Sequence, residues 1–484
     1  MEIFPRWISK KNMRNLFLNY SYSKVVIVVI FLCQVLVIFN ISPWKNAERE
    51  NALINWDITS YYSYLPAVFV HKDLAFKFLE TDTINYEAKH QFWPETAPNG
   101  NKVIKTTMGM AFLYSPFFFV SHLYAHFNEN YNANGFSKPY EVSLAFSCVF
   151  YLLFGFIFFS KLLRTIFSDK ITSVILLTTF LGTNLFFYST TEPCMSHAYT
   201  FSIACLLLYL IPKIYLQFNY RSALLLGAII GVLVLIRPTN LLFSLVVLLY
   251  EVNNLKSMKF RLIWLLNNKF KILFSICIAF LVYSFQLIYW KWSTGNWIFN
   301  SYVGEQFYFD NPQLMSFLFS YRKGWLLYTP IFIISFLGLY KMLKAKSKWT
   351  LPIVISLGLT IYIFSSWWCW WYGGGFGMRP MIDFYPLFII PLGFILQSTK
   401  KRLSRVILIF TIFSCVSLNL FQTLQKRHHV IHWDSMTKSS YWYFFFQHRM
   451  KSEKDWKIQE TLLQTPDYKK AKKGEGEYKF SIIN

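Results

Sequence analysis

Asp57 follows the apolar run Val25 to Ser42 and stands where a long polar loop begins to fold back. A carboxylate there can reach a bilayer surface. It could take the proton of a hydroxyl or amine while a sugar is displaced from a lipid phosphate, which is general-base chemistry at the interface. A helix N-cap is the competing account of the same residue. The stretch Trp367-Trp368-Cys369-Trp370-Trp371-Tyr372-Gly373-Gly374-Gly375-Phe376-Gly377-Met378-Arg379-Pro380 is the most unusual in the chain. Aromatic faces stack on sugar rings, glycines let backbone amides approach a phosphate, and Arg379 can hold one bidentately. An interfacial aromatic belt explains the tryptophans equally well. The glycines lie between apolar runs rather than after a strand, so no nucleotide-binding motif is matched. Asp383 stands close enough to Arg379 to pair with it.

Further charge falls in comparable positions. Lys105 and Arg322-Lys323-Gly324 each precede an apolar run, where a cation either partners a phosphate or simply anchors a helix end. Glu192-Pro193-Cys194-Met195-Ser196-His197 forms a short polar turn between two runs, and Tyr61-Tyr62 follow Asp57 closely.

These residues must be positioned by membrane helices. Hydrophobic residues make up 55% of the 484, and charged residues only 15% against about 25% in an average soluble domain. Runs long enough for a crossing, or nearly so, are Val25 to Ser42, Thr107 to Phe127, Val142 to Leu163, Thr172 to Ser189, Ala198 to Leu216, Ile272 to Trp290, Leu326 to Leu343, Leu351 to Trp368, Met381 to Leu396 and Val406 to Phe421. Ala223 to Ile236 and Leu241 to Tyr250 flank Arg237-Pro238-Thr239-Asn240 and are short. They read either as a shallow pair meeting near one face or as one kinked helix. The expected fold is an all-α polytopic membrane protein of about 11–13 transmembrane helices. Residues 1–421 form the membrane domain, with a first external loop at 43–106, and 422–484 form a short polar tail. The first run lacks a convincing cleavage site and reads as an anchor.

The net charge of +24 does not point to nucleic acid, because Lys10, Lys11, Arg14, Lys341 to Lys348 and Lys400 to Arg405 cluster at the ends of apolar runs. That is the cytoplasmic pattern, with membrane lipids as neighbours. It places residues 43–106, 192–197, 291–325 and 367–380 outside. One conflict arises: Lys161 to Lys170 also belong inside, so either a crossing between residues 107 and 160 is hidden or one run there is re-entrant. The external loop should carry an aromatic helix from Asp57 lying along the interface, then a polar turn region from Trp93 to Lys105. Seven cysteines, mostly within apolar runs, suggest no disulfide framework.

Trp56-Asp57 with Tyr61-Tyr62 and Pro66-Ala67, then Lys105 to Gly109 leading into Ser115-Pro116-Phe117, then Leu235 to Asn240, resemble in order the motifs of the glycosyltransferase C superfamily. The resemblance covers most of the first 250 residues and lies nearest the protein O-mannosyltransferase and aminoarabinose transferase branch. It implies a membrane glycosyltransferase of the bacterial inner membrane, with its site facing the periplasm. Such an enzyme moves a sugar from a polyprenyl-phosphate donor to a lipid, glycan or protein acceptor, with inversion. Asp57 is then the catalytic base. Lys105, Arg322 and Arg379 bind the donor phosphate, and Tyr61, Tyr62, Glu192, His197 and Trp371 form the sugar or acceptor pocket. A divalent cation serves some members, although no metal-ligand cluster stands out here. The family's frequent second acid is replaced by Ile58, and its Asp in the second external turn by Glu192. A flippase of lipid-linked sugar would also want aromatics and intramembrane charge, but repeats are not visible. A polysaccharide polymerase or ligase would want a larger late loop.

Overall fold

A computed structural model describes residues 21–46, 53–79, 92 and 94–475. Lys10, Lys11, Arg14 and Trp93 lie outside the described residues. With no water to satisfy backbone groups in an apolar setting, a chain of this composition closes its hydrogen bonds within helices. In order these are α1 (Tyr22–Ile41), α2 (Asp57–Tyr62), α3 (Tyr64–Phe69), α4 (Gly109–Phe127), α5 (Lys138–Leu163), α6 (Asp169–Leu181), α7 (Leu185–Thr190), α8 (Ser196–Leu216), α9 (Tyr220–Ile236), α10 (Phe243–Leu249), α11 (Leu255–Asn267) and α12 (Lys269–Thr294). Then come α13 (Leu314–Phe319), α14 (Trp325–Tyr328), α15 (Ile331–Lys344), α16 (Thr350–Ser365), α17 (Tyr385–Phe388), α18 (Ile390–Ser398), α19 (Arg402–Arg427), α20 (Lys438–Tyr443), α21 (Glu453–Leu462) and α22 (Tyr468–Lys472). The only sheet among the described residues pairs Glu95–Thr96 with Lys102–Val103 and turns at Gly100, φ +85°.

Five helices among the described residues are long and apolar enough to cross a membrane: Tyr22–Lys45, Lys138–Leu163, Ser196–Leu216, Lys269–Thr294 and Arg402–Arg427. A bent pair, Arg379–Phe388 with Ile390–Ser398 and its halves at 45°, brings the number to six when counted as one span. The protein is therefore an all-α, multi-pass membrane protein. Several expected single helices are broken. Thr172 to Ser189 divides into α6 and α7 around Gly182, and Leu326 to Leu343 divides into α14 and α15 at Thr329-Pro330, since a proline cannot continue the ladder.

Contacts sort the connections into two ends. Asp169 accepts bonds from Ser21 and Ser23 at 2.8 and 2.5 Å, Phe167 packs on Phe394, and Lys348 pairs with Glu251, so the basic turns share one end with the start of α1. At the other end, the Ile54 amide donates to Glu141 near the start of α5, and the Tyr62 hydroxyl donates to the Gly135 carbonyl. Helix α4 runs antiparallel to α5, with Tyr151 donating to Leu113 O at 3.1 Å, Ser143 to Phe117 O at 2.7 Å, and His122 meeting the Tyr140 hydroxyl at 2.6 Å. Before α4 the chain descends along α12. Asn99 and Asn101 bond to Ser293 O, the Ile104 amide to the Tyr289 hydroxyl and the Met108 amide to the Gln286 side chain. That descent is about 10 Å at 1.5 Å per helical residue. The chain thus enters the bundle and α4 carries it back to the end it left, which favours the re-entrant resolution of the charge conflict.

A second in-and-out pair comes from the opposite end. Tyr215, at the end of α8, donates to Val247 O at 2.6 Å and stacks on Tyr250, so α10 finishes beside the start of α9. Between them Arg237 is extended, φ −156° and ψ 122°, and a 3-10 turn, Pro238–Leu242, follows. The break is thus two helices rather than one kinked rod, and it meets the start of α4. Thr107 donates to Ile236 O at 3.2 Å, and a Cβ on Gly109 would overlap the backbone of Leu235 and Ile236. We predict that Gly109→Ala lowers stability by about 1–3 kcal/mol through overpacking. Gly358→Ala, where a Cβ meets open space, should not, as thermal unfolding in detergent will read.

Candidate functional site

The loop end of the bundle gathers charges that sequence separates widely. Trp56 takes the N-cap position of α2 with φ 53° and ψ −130°, a conformation rare for a non-glycine residue, and Asp57 is the first helical residue instead of the cap. Its carboxylate turns away from the helix amides and meets Arg379 Nη2 at 2.8 Å. Asp57 is 46% exposed and Arg379 19%, so the pair sits at a surface rather than in a sealed interior. Burial by surrounding protein would raise the Asp57 carboxyl, but Arg379, aided by Lys105 and Arg237, outweighs it and holds the group below its ordinary 3.8.

Arg379 does not pair with Asp383, as its spacing suggested. The two lie in one 3-10 turn, Arg379–Phe384, where residues three apart eclipse and residues four apart diverge by about a third of a turn. Asp383 instead accepts from His197 Nδ1 at 2.9 Å and from Arg237 Nη1 at 3.3 Å, and Arg237 Nη2 reaches Ser196 Oγ at 3.2 Å. Ser196 in turn lies 3.4 Å from the Tyr61 hydroxyl. His197 and Asp383 are fully buried, which places His197 beneath the site as a brace for Asp383 and Arg237. Arg237 was legible only as a helix break, although a cation there already implied an acid to receive it.

Of the remaining expected site residues, Lys105 is held by Glu305 at 2.5 Å and lies 5.0 Å over the Tyr302 ring. Arg322 donates to Asp434 O at 2.5 Å and sits 5.6 Å over Trp371, which binds it to the carboxy-terminal segment rather than to the Asp57 group. Neighbouring Lys323, not chosen from sequence as a site residue, donates to Gly375 O; burial, then Lys426 and Arg379, push its amine well below the usual lysine value. Glu192 lies in the field of Lys426, Arg379 and Lys323, yet burial still raises its carboxyl. Tyr62 is buried against Tyr114, Phe118 and Phe136, so α2 and α3 pack their rings inward. Trp371 is buried too, edge-on to Trp370 and Tyr468.

The glycine run shapes a turn. Gly373, Gly375 and Gly377 have φ of 62°, 144° and 58°, a course that L side chains rarely follow. The amide of Phe376 is taken by the Tyr188 hydroxyl and that of Gly373 by Cys369 Sγ, so these donors serve the turn and not a phosphate. Residues 428–475 are packed onto the rest of the molecule. Tyr468 packs on Trp368 and Trp371 and donates to Asp434 at 2.7 Å, while Lys472 O accepts from Tyr308.

A cavity of about 180 Å³ opens beside the Asp57 group, lined by Tyr61, Thr106, Thr107, Arg237, Trp290 and Tyr302 among others. Of the expected pocket residues, only Tyr61 lines it. Among the described residues no three His, Cys, Asp or Glu side chains lie together to hold a metal ion. Asp57, Asp383 and Glu305 are each engaged by a cation.

Removing one member of the buried trio leaves the others uncompensated. We predict that Asp383→Ala destabilises the protein by about 3–5 kcal/mol, as expected for breaking a buried pair. Asp57→Ala should cost well under that because its pair is partly exposed, and thermal unfolding of the two variants will rank them. No protein-family model, curated protein or solved structure matches this chain.

Proposed function

We propose that this chain is a membrane glycosyltransferase of the glycosyltransferase C kind, which moves a sugar from a polyprenyl phosphate to an acceptor hydroxyl or amine outside the cytoplasm. The observation that carries the reading is Asp57 held against Arg379 at a surface, one helical turn before Tyr61, which lines the cavity. The acceptor is a lipid, glycan or protein, and the membrane is the bacterial inner membrane with the site facing the periplasm.

In the step we envisage, the acceptor oxygen or nitrogen forms a bond to the anomeric carbon as the bond to the phosphate oxygen breaks. The phosphate leaves with the electron pair and Asp57 takes the acceptor's proton. A single displacement inverts the anomeric centre. Asp57 paired with a guanidinium is a weak base. An incoming lipid phosphate competes for Arg379, draws it off, and so raises the basicity of Asp57 only when donor is bound. Fixed positive charge then stabilises the leaving phosphate as its charge develops.

The matching topology has nine crossings: α1, α5, α6 with α7, α8, α12, α14 with α15, α16, the bent pair ending in α18, and α19. Helix α4 and the pair α9 and α10 each return to the face they left. This keeps every basic turn inside and the Asp57 group outside. An impermeant thiol reagent applied from outside to a cysteine-free background should label a cysteine at Asn130 and one at Asn300, and spare one at Lys259. Labelling of Lys259 together with protection of Asn130 would refute the arrangement.

Reconstituted with a labelled donor, Asp57→Asn should lose at least about 100-fold in donor cleavage, the usual share of a general base. Unchanged cleavage, or flipping without cleavage, would overturn the reading. The pH dependence has a defined sign. The lowered carboxyl of the free protein keeps Asp57 ionised down to below 3.8, so kcat/KM falls only in stronger acid. With donor bound and Arg379 withdrawn, the acid limb of kcat should lie at higher pH than that of kcat/KM.

A further inference from the structure

The segment that follows α19 folds back along that helix. Gln422 donates to the Tyr441 hydroxyl at 2.8 Å, and Gln425 donates to the carbonyls of Phe444, Phe445 and Gln447 at 3.2, 2.9 and 2.8 Å. Residues 441–447 are thereby fastened beside the last two turns of the helix instead of trailing off its end. Helix length sets the depth of that seat. At about 1.5 Å per residue the 26 residues of α19 reach about 39 Å, against about 30 Å for the hydrocarbon of a bilayer. A span centred on the bilayer overshoots the hydrocarbon by about 4–5 Å at each end, so its last turn stands among lipid headgroups.

At this depth the segment turns aromatic rings outward. Trp442, Tyr443 and Phe446 are 53%, 56% and 89% exposed, while Tyr441 and Phe444 are buried. Phe445 bridges two of the exposed rings, its centroid 5.1 Å from those of both Trp442 and Phe446. Tryptophan and tyrosine favour the boundary between hydrocarbon and water, where an apolar body and a polar tip are both accommodated. Cations stand at the same place. Arg427 ends α19, and its field falls on His428 together with those of His448 and Arg449. Arg427, His448 and Arg449 are exposed, and neither arginine makes an ion pair or a side-chain hydrogen bond among the described residues. The acids that follow in sequence are engaged elsewhere: Glu453 pairs with Lys457 at 2.9 Å, and Asp455 accepts from the Lys451 amide at 2.8 Å.

We propose that residues 441–449, with Arg427, form an interfacial foot that binds anionic phospholipid headgroups of the bilayer α19 crosses. The rings seat at the edge of the hydrocarbon and the two guanidinium groups hold the lipid phosphate. A zwitterionic lipid brings a cation of its own into a cluster that is already positive, so the anionic lipid is preferred. The inference needs α19 to cross a membrane and takes nothing from the transferase reading.

The test places a bimane on a cysteine at Phe446, in an otherwise cysteine-free full chain in nanodiscs. It is quenched by phosphatidylglycerol or phosphatidylcholine carrying a nitroxide near the glycerol. Phosphatidylglycerol should reach half-quenching at a mole fraction at least about fivefold lower, the share of one arginine at an anionic surface. Arg427→Gln with Arg449→Gln should bring the two curves together, and Arg427→Lys with Arg449→Lys, which keeps the charge, should keep them apart. A second bimane, at the exposed Phe413 in the middle of α19 and read with a chain-end nitroxide, should stay quenched in every variant and so reports an intact span. A Phe446 label open to iodide in the water and blind to both lipids would overturn the foot. Equal half-quenching by the two lipids in the arginine-bearing protein, or a phosphatidylglycerol preference that survives both glutamine substitutions, would overturn the headgroup assignment.

Discussion

Charge compensation between segments far apart in sequence is what the loop end of this molecule depends on. Asp57 answers Arg379, Asp383 answers Arg237, and Glu305 answers Lys105, each pair joining a different couple of connections. In an environment poor in water an unpaired ion is costly, so these pairs fix which loops must meet, while apolar packing fixes only that helices associate. The distribution is graded. The Asp383 group is buried and has its lone pairs shared between His197 and Arg237, whereas the Asp57 pair is partly exposed.

The helical class was legible because 18 or more apolar residues in succession leave the backbone few other ways to satisfy itself. The helix α5 begins at Lys138 and ends at Leu163, close to the apolar run Val142 to Leu163. What hydropathy does not encode is direction. The run Thr107 to Phe127 is long enough to cross but its helix is less apolar than those on either side, and its returning course in the proposed topology rests on its antiparallel seat against α5 and the descent of residues 99 to 108 along α12. The lysines of Lys161 to Lys170 carried that information indirectly, as a parity that would not close.

The site was legible in part. Asp57 and Arg379 each stood out from sequence, but their partnership did not, because over 300 residues separate them and Asp383 offered a nearer acid. Rotation within a 3-10 turn decided between the two acids, and spacing read as α-helical gives the opposite answer. Tyr62 and Trp371 were attractive for their rings, and the structure uses those rings for packing.

The segment after α19 works as a shield. Tyr468 and Lys472 seat against Trp368 and the loop at Tyr308, a hundred positions and more back along the chain. Without that cover the Trp368 and Trp371 indoles would join an apolar surface of the sort that drives unwanted association. The aromatic wall that delivers Arg379 therefore owes its finish to a stretch of chain far from it in sequence, and solubility of that face and the placement of the guanidinium are tied to the same contacts.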